Sequence, residues 1–393
     1  MSAAARNHTK FLWRLKTTAG SQASTFFCTS LVQILQRPNT LLRHHHKHTP
    51  HVNISKMRRV NIDPLVVQAD IADDHTQPSS FNTSFHSSNE YPPNTPIFFS
   101  EAPYSFKRWL PLIIHTRNQN PATALQTIPL TVSQARLLLD AATVSAPFGH
   151  INRTYLEDLH DEILKPVLSK LVFPPEGLFL RLDLTSAKDG VHAVRGRMAL
   201  HSSEEVLLRI ATSQRAKNAL SQVLQEDAAQ QTKSPVELYF LPFDKRMSSE
   251  NEYRVFCRPG DGAITGVSQY QWHKEWKMAG LEREDQDEVV GRIVEGAKEL
   301  QRLILEDVDC GGKDGSGDRL MMAQGFSFDV LYDESTGGCE LVELNPFGAG
   351  SPCGSCLFHW VKDWNVLYGQ APGEFRLAVA GAEPEATDGM MVD

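Results

Sequence analysis

The sequence predicts an α+β fold in which antiparallel β-hairpins are interspersed with amphipathic helices. Two hairpins are expected over residues 253–270 and 326–344, where apolar, strand-like runs flank a short Gly-containing turn. A long helix is expected over 284–306, because its apolar residues recur three and four positions apart and leave a polar opposite face. Mostly antiparallel hairpins combined with such helices favour α+β over a parallel α/β sheet.

The remaining elements follow in chain order. Thr131 or Ser133 caps a short helix through residues 137–142, and an apolar stripe over 156–171 predicts a helix kinked at Pro166. A further helical stretch opens at Ser203 and continues past residue 220. Strands are expected over 178–184 and 236–241.

Charge divides the chain unevenly. Residues 1–62 contain ten Lys and Arg and no acidic residue, whereas residues 63–102 contain six acidic residues and no basic one. An acid-free leader rich in Ser and Arg is typical of a mitochondrial transit peptide, although a basic tail or a translation start at Met57 gives the same composition. We predict a leader and disordered linker over 1–102, a folded domain over 103–370 and a disordered tail over 371–393.

Composition also excludes several classes of protein. The 393 residues include six Cys, too few for a disulfide scaffold, and no apolar run approaches the roughly 18 residues that span a bilayer. The net charge of −8 argues against a nucleic-acid binder. The expected location is cytoplasmic, or mitochondrial if the leader is a transit peptide.

The second hairpin carries the most informative polar residues. Folding it about the turn at 333–338 brings Asp329 opposite, or within one residue of, Glu343, and strand alternation places Asn345 on the same face as Glu343. Two carboxylates and an amide oxygen are hard ligands suited to Mg²⁺ that carries phosphate. The alternative is a strand face whose acids simply point to water.

Basic residues on neighbouring segments are candidates for binding phosphate. Arg254 can chelate phosphate oxygens or pair with Glu252, and Arg181 and Lys188 flank a short polar loop. Cys353 and Cys356 have the CxxC spacing of half a zinc site, for which free thiols are the alternative.

Several stretches, in order, resemble the cell division cycle protein 123 family, whose members are described as ATP-grasp-like assembly chaperones for eukaryotic translation initiation factor 2. The similar stretches are Phe106–Pro111, Phe179–Gly190, Glu237–Leu241, Glu252–Phe256 and Leu341–Gly348. Together they span about residues 103–365.

The resemblance implies an ATP-grasp-like fold in which two α+β halves enclose a nucleotide site, with ATP and Mg²⁺ as cofactors. It implies a monomer whose partner is a gamma-type subunit of initiation factor 2. By position, the nucleotide-binding residues would be Arg181, Asp183, Lys188, Glu237, Tyr239, Phe240, Leu241 and Arg254. The metal ligands would be Asp329, Glu343 and Asn345.

The chain also departs from the family's pattern. Arg181 stands where Lys is usual, Leu241 and Tyr270 stand where Arg is usual, and Glu343 replaces an Asp. Two alternatives therefore remain open. One is an ATP-dependent carboxylate–amine ligase, and the other is a degenerate paralogue that has lost ATP and serves as a protein-binding scaffold.

Overall fold

A computed structural model describes residues 57–73, 79–87, 89–91, 102–230, 236–310 and 316–381. The predicted leader lies outside the described residues up to residue 56, and the end of the predicted tail lies outside them from residue 382. Within the described residues, no helix is long and apolar enough to cross a membrane.

Nine strands form two separate sheets in this part of the chain. The strands are β1 Arg58–Ile62, β2 Gln126–Leu130, β3 Leu178–Leu182, β4 Val236–Pro242, β5 Glu252–Cys257, β6 Ile264–Gln269, β7 Phe326–Asp333, β8 Gly338–Pro346 and β9 Glu374–Ala378. The larger sheet has the order β1-β9-β6-β5-β7-β8, and the smaller has the order β2-β4-β3. Pairing is antiparallel except at β9, which runs parallel to both β1 and β6.

Helices cover the sheets. They are α1 Pro64–Ala72, α2 Phe106–Thr116, α3 Pro121–Ala124, α4 Val132–Ser145, α5 Leu156–Leu159, α6 Ser203–Ala211, α7 Gln214–Gln230, α8 Arg283–Cys310, α9 Ser316–Gln324 and α10 Trp364–Leu367. Shorter 3₁₀ turns occupy Ala102–Tyr104, Ala146–Phe148, Arg153–Tyr155 and Leu168–Lys170, and a π turn occupies His160–Leu164.

Two hydrophobic cores correspond to the two sheets. One core joins the six-stranded sheet to α2 and α8, with Trp109 and Ile293 fully buried. The other joins the three-stranded sheet to α4, α6 and α7 through Leu138, Ile210 and Leu238. The predicted α+β class is confirmed, with two layered α+β halves.

Both predicted hairpins and the long helix are present, as β5–β6, β7–β8 and α8. Thr131 caps α4 in a capping box, because its hydroxyl accepts from the Gln134 amide at 3.2 Å and the Gln134 side chain accepts from the Thr131 amide at 3.0 Å. The stripe over 156–171 differs from the prediction. It divides into α5, a π turn and a 3₁₀ turn around Pro166, which cannot donate a backbone hydrogen bond.

The ends of the folded part also differ from the prediction. β1 and α1 form within residues predicted as leader and linker, and β9 forms within the predicted tail. β9 lies between β1 and β6, with Phe375 and Leu377 buried on one face. Strands β1 and β9 have only five residues each. In β9 the apolar alternation is limited to Phe375 and Leu377, which is too little to distinguish a strand from a tail.

Candidate functional site

Two adjoining cavities, each of about 340 Å³, lie between the two sheets. We call the first the apolar cavity after its aromatic and aliphatic walls, although charged side chains, among them Arg117, Lys188, Asp244 and Glu252, also line it; the walls are formed by Phe106, Phe179, Met198, Leu241, Phe243 and Val342. The second, the cationic cavity, is lined by Arg181, Arg215 and Arg254 and by a single carboxylate, Glu343. Arg181, Arg215, Tyr270 and Glu343 line both, so the cavities form one continuous cleft.

Strand alternation explains why the smaller sheet presents these side chains to the cleft. Along β3, Leu180 and Leu182 are buried in the second core, so Phe179 and Arg181 point to the opposite face. The guanidinium of Arg181 lies over the Phe106 ring, 4.5 Å from its centroid. Arg181 therefore joins the apolar wall to the cationic end of the cleft.

Asp329 lies on β7, between β5 and the edge strand β8 of the larger sheet, opposite both Arg254 on β5 and Glu343 on β8. The pairing with Glu343 confirms the predicted register of the hairpin. Arg254 donates to both carboxylate oxygens of Asp329, from Nε at 2.8 Å and from Nη2 at 2.7 Å. The side chains of Arg254 and Asp329 are 6% and 1% exposed, so this is a buried bidentate ion pair. Burial raises the pKa of Asp329, and the charge of Arg254 offsets part of that rise.

Glu343 lies nearer the cleft, where its Oε2 is 2.5 Å from Nη1 of Arg181. Burial opposes its ionised form, but the charges of Arg181 and then Arg254 lower the pKa of Glu343 to about 2. Asn345 also lines the cationic cavity, donates to Asp329 at 3.2 Å and accepts from the Cys353 thiol at 3.4 Å. The three predicted metal ligands are thus brought together.

The chemistry of this donor set fits a metal ion in part. Both oxygens of Asp329 already accept from a guanidinium, whereas Glu343 and Asn345 line the cationic cavity, Asn345 with its amide oxygen accepting from the Cys353 thiol. Among the described residues, no group of three or more His, Cys, Asp and Glu side chains forms a metal site. The arrangement suits Mg²⁺ that arrives with phosphate, because the phosphate oxygens and water complete its six ligands.

Glu252, at the start of β5, is the most unusual carboxyl in the cleft. It lines the apolar cavity, and within the described part of the chain its side chain has neither a hydrogen bond nor an ion pair. Burial, followed by the nearby charge of Asp329, raises the pKa of Glu252 to about 7. Sequence reasoning considered Glu252 only as an alternative partner for Arg254, which instead pairs with Asp329.

The Tyr270 ring lies close to two cations at the junction of the two cavities. It lies 5.7 Å from the ammonium of Lys188 and 5.1 Å from the guanidinium of Arg254. Lys188, in the loop after β3, lines the apolar cavity. Both cations therefore lie within cation–π distance of the Tyr270 ring.

Two further arginines were missed from the sequence. Arg215 lines both cavities and donates from Nε to the Thr185 hydroxyl at 2.8 Å. Arg117 lines the apolar cavity just after α2, where burial lowers its pKa. Neither belongs to a motif, so only tertiary structure brings them to the cleft.

Four of the predicted nucleotide-binding residues do not line either cavity: Asp183, Glu237, Tyr239 and Phe240. Asp183 accepts from the Lys107 amide at 2.7 Å and from the Ser105 hydroxyl at 2.8 Å, and so caps the N-terminus of α2. Glu237 lies 2.6 Å from the Lys107 ammonium and accepts from the Tyr239 hydroxyl at 2.7 Å. Phe240 is buried in the second core.

The backbone of β4 was expected to face adenine. Tyr239 and Phe240 pair with β2 on one side and β3 on the other, whereas Leu241 pairs with β3 only. Of these three residues, only Leu241 lines the cleft. The open part of the strand is therefore its end, at Leu241 and Pro242.

The CxxC segment forms one wall of the cationic cavity, and no described group of three or more His, Cys, Asp and Glu side chains includes it. Cys353 and Gly354 line this cavity, and Cys356 adopts a left-handed backbone with φ of 54°. Both Cys353 and Cys356 are free thiols, and burial raises the pKa of each. The Nδ1 of His359 accepts from the Val361 and Lys362 amides at 3.0 Å each, so it serves the local turn.

Comparisons with known proteins give the following findings. No protein-family model matches the sequence, and no curated protein matches it significantly. Among solved structures, C-terminally truncated Cdc123 from Schizosaccharomyces pombe matches at 15% identity and a TM-score of 0.47, over 75% of this chain and 99% of that chain. Cdc123 from the same organism matches at 17% identity and a TM-score of 0.45, with the same two coverages. Both are structures of a protein from the family that the sequence resembles.

Proposed function

We propose that this protein binds ATP with Mg²⁺ in the cleft between its two sheets and acts as an assembly chaperone of the Cdc123 type. The observation that carries the proposal is the joining of an apolar cavity to a cationic one. A nucleotide has the same asymmetry, with a flat, weakly polar base at one end and a polyanion at the other.

The residues of the cleft have separate tasks in this proposal. Phe179 and Leu241 would pack against the base, at the end of β4 where the strand has an open side. Arg181, Lys188 and Arg215 would bind the phosphates, because guanidinium and ammonium groups form charge-assisted hydrogen bonds with phosphate oxygens.

Magnesium would be held by Glu343 and Asn345 together with phosphate oxygens. Its double positive charge would compensate for Glu343 once Arg181 turns from that carboxylate towards phosphate. Asp329 would act indirectly, by fixing the Arg254 guanidinium through the two hydrogen bonds that it accepts. The metal's contribution is to neutralise the polyphosphate in the cleft.

A ligand in this cleft contacts both halves of the protein. Arg181 and Leu241 belong to the smaller sheet, whereas Glu343 and Tyr270 border the larger one. Binding energy would therefore fix the two halves relative to each other and stabilise one partner-binding surface. By resemblance, we propose a gamma-type subunit of translation initiation factor 2 as that partner.

Calorimetric titration of the full chain with ATP tests the proposal, in Mg²⁺ and in EDTA. We expect saturable binding with one nucleotide per chain, weakened at least about tenfold when the metal is chelated. Absence of binding at millimolar Mg·ATP would contradict the proposal and favour the degenerate scaffold. That alternative is consistent with the pairing of Asp329 with Arg254 and of Glu343 with Arg181.

A ligase activity is the second candidate, and a third cavity of about 230 Å³ favours it. This cavity shares Arg254, Tyr270 and Gly354 with the cationic cavity, so a second reactant there would lie beside the phosphates. Release of ADP and phosphate that depends on an added carboxylate and amine would support the ligase. ATP binding without turnover would support the chaperone.

A further inference from the structure

The segment 79–87, which we call the strap, lies against the loop that contains Cys353 and Gly354 and lines the cationic cavity. At one end it is attached to α1, where the Asp70 carboxylate accepts from the Ser79 hydroxyl at 3.0 Å and the Ser80 amide at 2.7 Å. At the other end, the His86 amide donates to the Ala349 carbonyl at 2.9 Å. The strap lies in residues predicted as a linker, and nothing in the proposed function requires it.

The centre of the strap makes its densest contacts with the CxxC loop, residues 351–356. The Asn82 amide donates to the Cys356 carbonyl at 2.7 Å, and the Asn82 side chain accepts from the Cys356 amide at 3.2 Å. Thr83 adds a hydrogen bond from its amide to the Ser355 hydroxyl at 3.0 Å. Asn82 has a left-handed backbone with φ of 50°, a conformation that asparagine tolerates better than most residues.

Asn82 also packs directly against Gly354. A Cβ added at Gly354 would lie 2.0 Å from Oδ1 of Asn82, and its three nearest atoms would all belong to Asn82. The carbonyl of Gly354 accepts from Nη1 of Arg254 at 2.7 Å. The glycine is thus held between a strap residue on one side and the guanidinium of the cleft on the other.

Arg254 has two N–H groups left after these contacts. Three of its five N–H groups are used, two by Asp329 and one by Gly354, and Arg254 lines the cationic cavity. The Asp329 carboxylate anchors Nε and Nη2, and the Gly354 carbonyl anchors Nη1. Gly354, whose carbonyl is one of these anchors, packs against Asn82.

We infer that Asn82 is a positioning residue for the phosphate end of the cleft: it fixes the Gly354 carbonyl, and through it the direction in which Arg254 presents its free N–H groups. This inference rests on the proposed nucleotide site, which it extends to a segment outside both sheets. It makes the strap a part of the ligand-binding unit.

A double-mutant cycle tests the contact, using Asn82→Ala, Gly354→Ala and the double variant, with Mg·ATP affinity as the readout. Each single variant should weaken binding about tenfold, as expected when a hydrogen bond to a charged group is misplaced. The double variant should bind more tightly than the two losses combined predict, because Asn82→Ala removes the atoms with which the new methyl group collides. Tyr91→Phe is the control, since it removes one hydrogen bond of Tyr91 to the His86 carbonyl, away from Gly354.

A second readout does not depend on nucleotide. If Asn82 holds the loop, Asn82→Ala should speed the labelling of Cys353 by a maleimide several-fold in the apo protein, and Tyr91→Phe should not. Unchanged labelling together with additive affinities would overturn the inference while the nucleotide site stands. If the wild type binds no ATP, the proposed function fails, and the labelling rates alone then decide whether Asn82 positions the loop.

Discussion

At the scale of single residues, the cleft contains two arginine–carboxylate pairs that differ in how deeply they are buried. Arg254 and Asp329 are almost completely enclosed, whereas Arg181 and Glu343 keep 12% and 20% of their side chains exposed. A buried pair is strongly destabilised when one partner loses its charge, because the other charge is left without compensation. The two pairs should therefore respond differently to neutralisation.

We predict that Asp329→Asn lowers the free energy of unfolding by about 3–5 kcal/mol, since Arg254 would remain charged and buried. Glu343→Gln should lower it by less, because Arg181 can turn towards the cleft. Urea unfolding of the two variants in parallel measures both values. Equal stabilities of wild type and Asp329→Asn would show that the Arg254 pair contributes little to the fold.

Ligand binding should rank the two variants in another way. Glu343→Gln removes the carboxylate that faces the cationic cavity, so we expect Mg·ATP binding about tenfold weaker with the fold retained. Titration of this variant with ATP in EDTA is the control, because metal-free binding does not use that carboxylate. Metal-dependent affinity equal to that of wild type would exclude Glu343 as a ligand.

Glu252 gives the protein a pH dependence of defined sign. Its pKa is about 7 in the folded state against an ordinary value of 4.5, so between these values the folded protein binds more protons than the unfolded chain. This group's contribution to stability is therefore fully present below about pH 4.5 and is lost as the pH rises through about 7. The difference between wild type and Glu252→Gln should change by roughly 1–3 kcal/mol between pH 5 and 8, as measured by urea unfolding. A difference independent of pH would show that Glu252 is already solvated.

At the scale of elements, the sequence predicted those whose residues carry a regular pattern. The β7–β8 hairpin and its register follow from turn position and alternation, so the encounter of Asp329 with Glu343 was foreseeable. The encounter of Asp329 with Arg254 was not, because the predicted β5–β6 hairpin does not specify which strand pairs with the outer side of β5. Sequence patterns identify local strand pairs, and tertiary packing selects the distant ones.

Asp183 illustrates how motif resemblance and geometry differ. It was expected to contact nucleotide, but its carboxylate accepts hydrogen bonds from the first turn of α2. We predict that Asp183→Ala lowers the free energy of unfolding by about 1–2 kcal/mol, the usual effect of losing an N-terminal cap. Mg·ATP affinity should remain within about twofold of wild type, which calorimetry measures. A large loss of affinity with unchanged stability would return Asp183 to the nucleotide site.

At the scale of the whole molecule, the fold extends beyond the predicted domain at both ends. β1 pairs with β9 over five residues, and Val67 of α1 is buried against Leu357 and Ala378. We predict that a chain beginning at residue 103 melts at a clearly lower temperature than one beginning at residue 57. Burial of a single valine contributes about 1.5–3 kcal/mol, and the strap contacts are lost as well.

Thermal unfolding of these two chains, with the full chain as reference, measures the effect. The chain beginning at residue 57 should match the full chain, because every described element is retained in it. Equal melting temperatures of all three would show that residues 57–102 add nothing to the stability of the domain.

The parallel pairing of β1 with β9 has a consequence for how the protein is made. Arg58 donates to Glu374 at 2.6 Å across a separation of 316 residues, so the first described strand meets its partner only after residue 374 has been synthesised. Until then its backbone groups have no strand to pair with, and contacts this distant in sequence are the slowest to form. A nascent chain stalled before residue 374 should thus expose the edge of β6 to chaperones and proteases. The larger sheet can therefore close only after residues 374–378 have been synthesised.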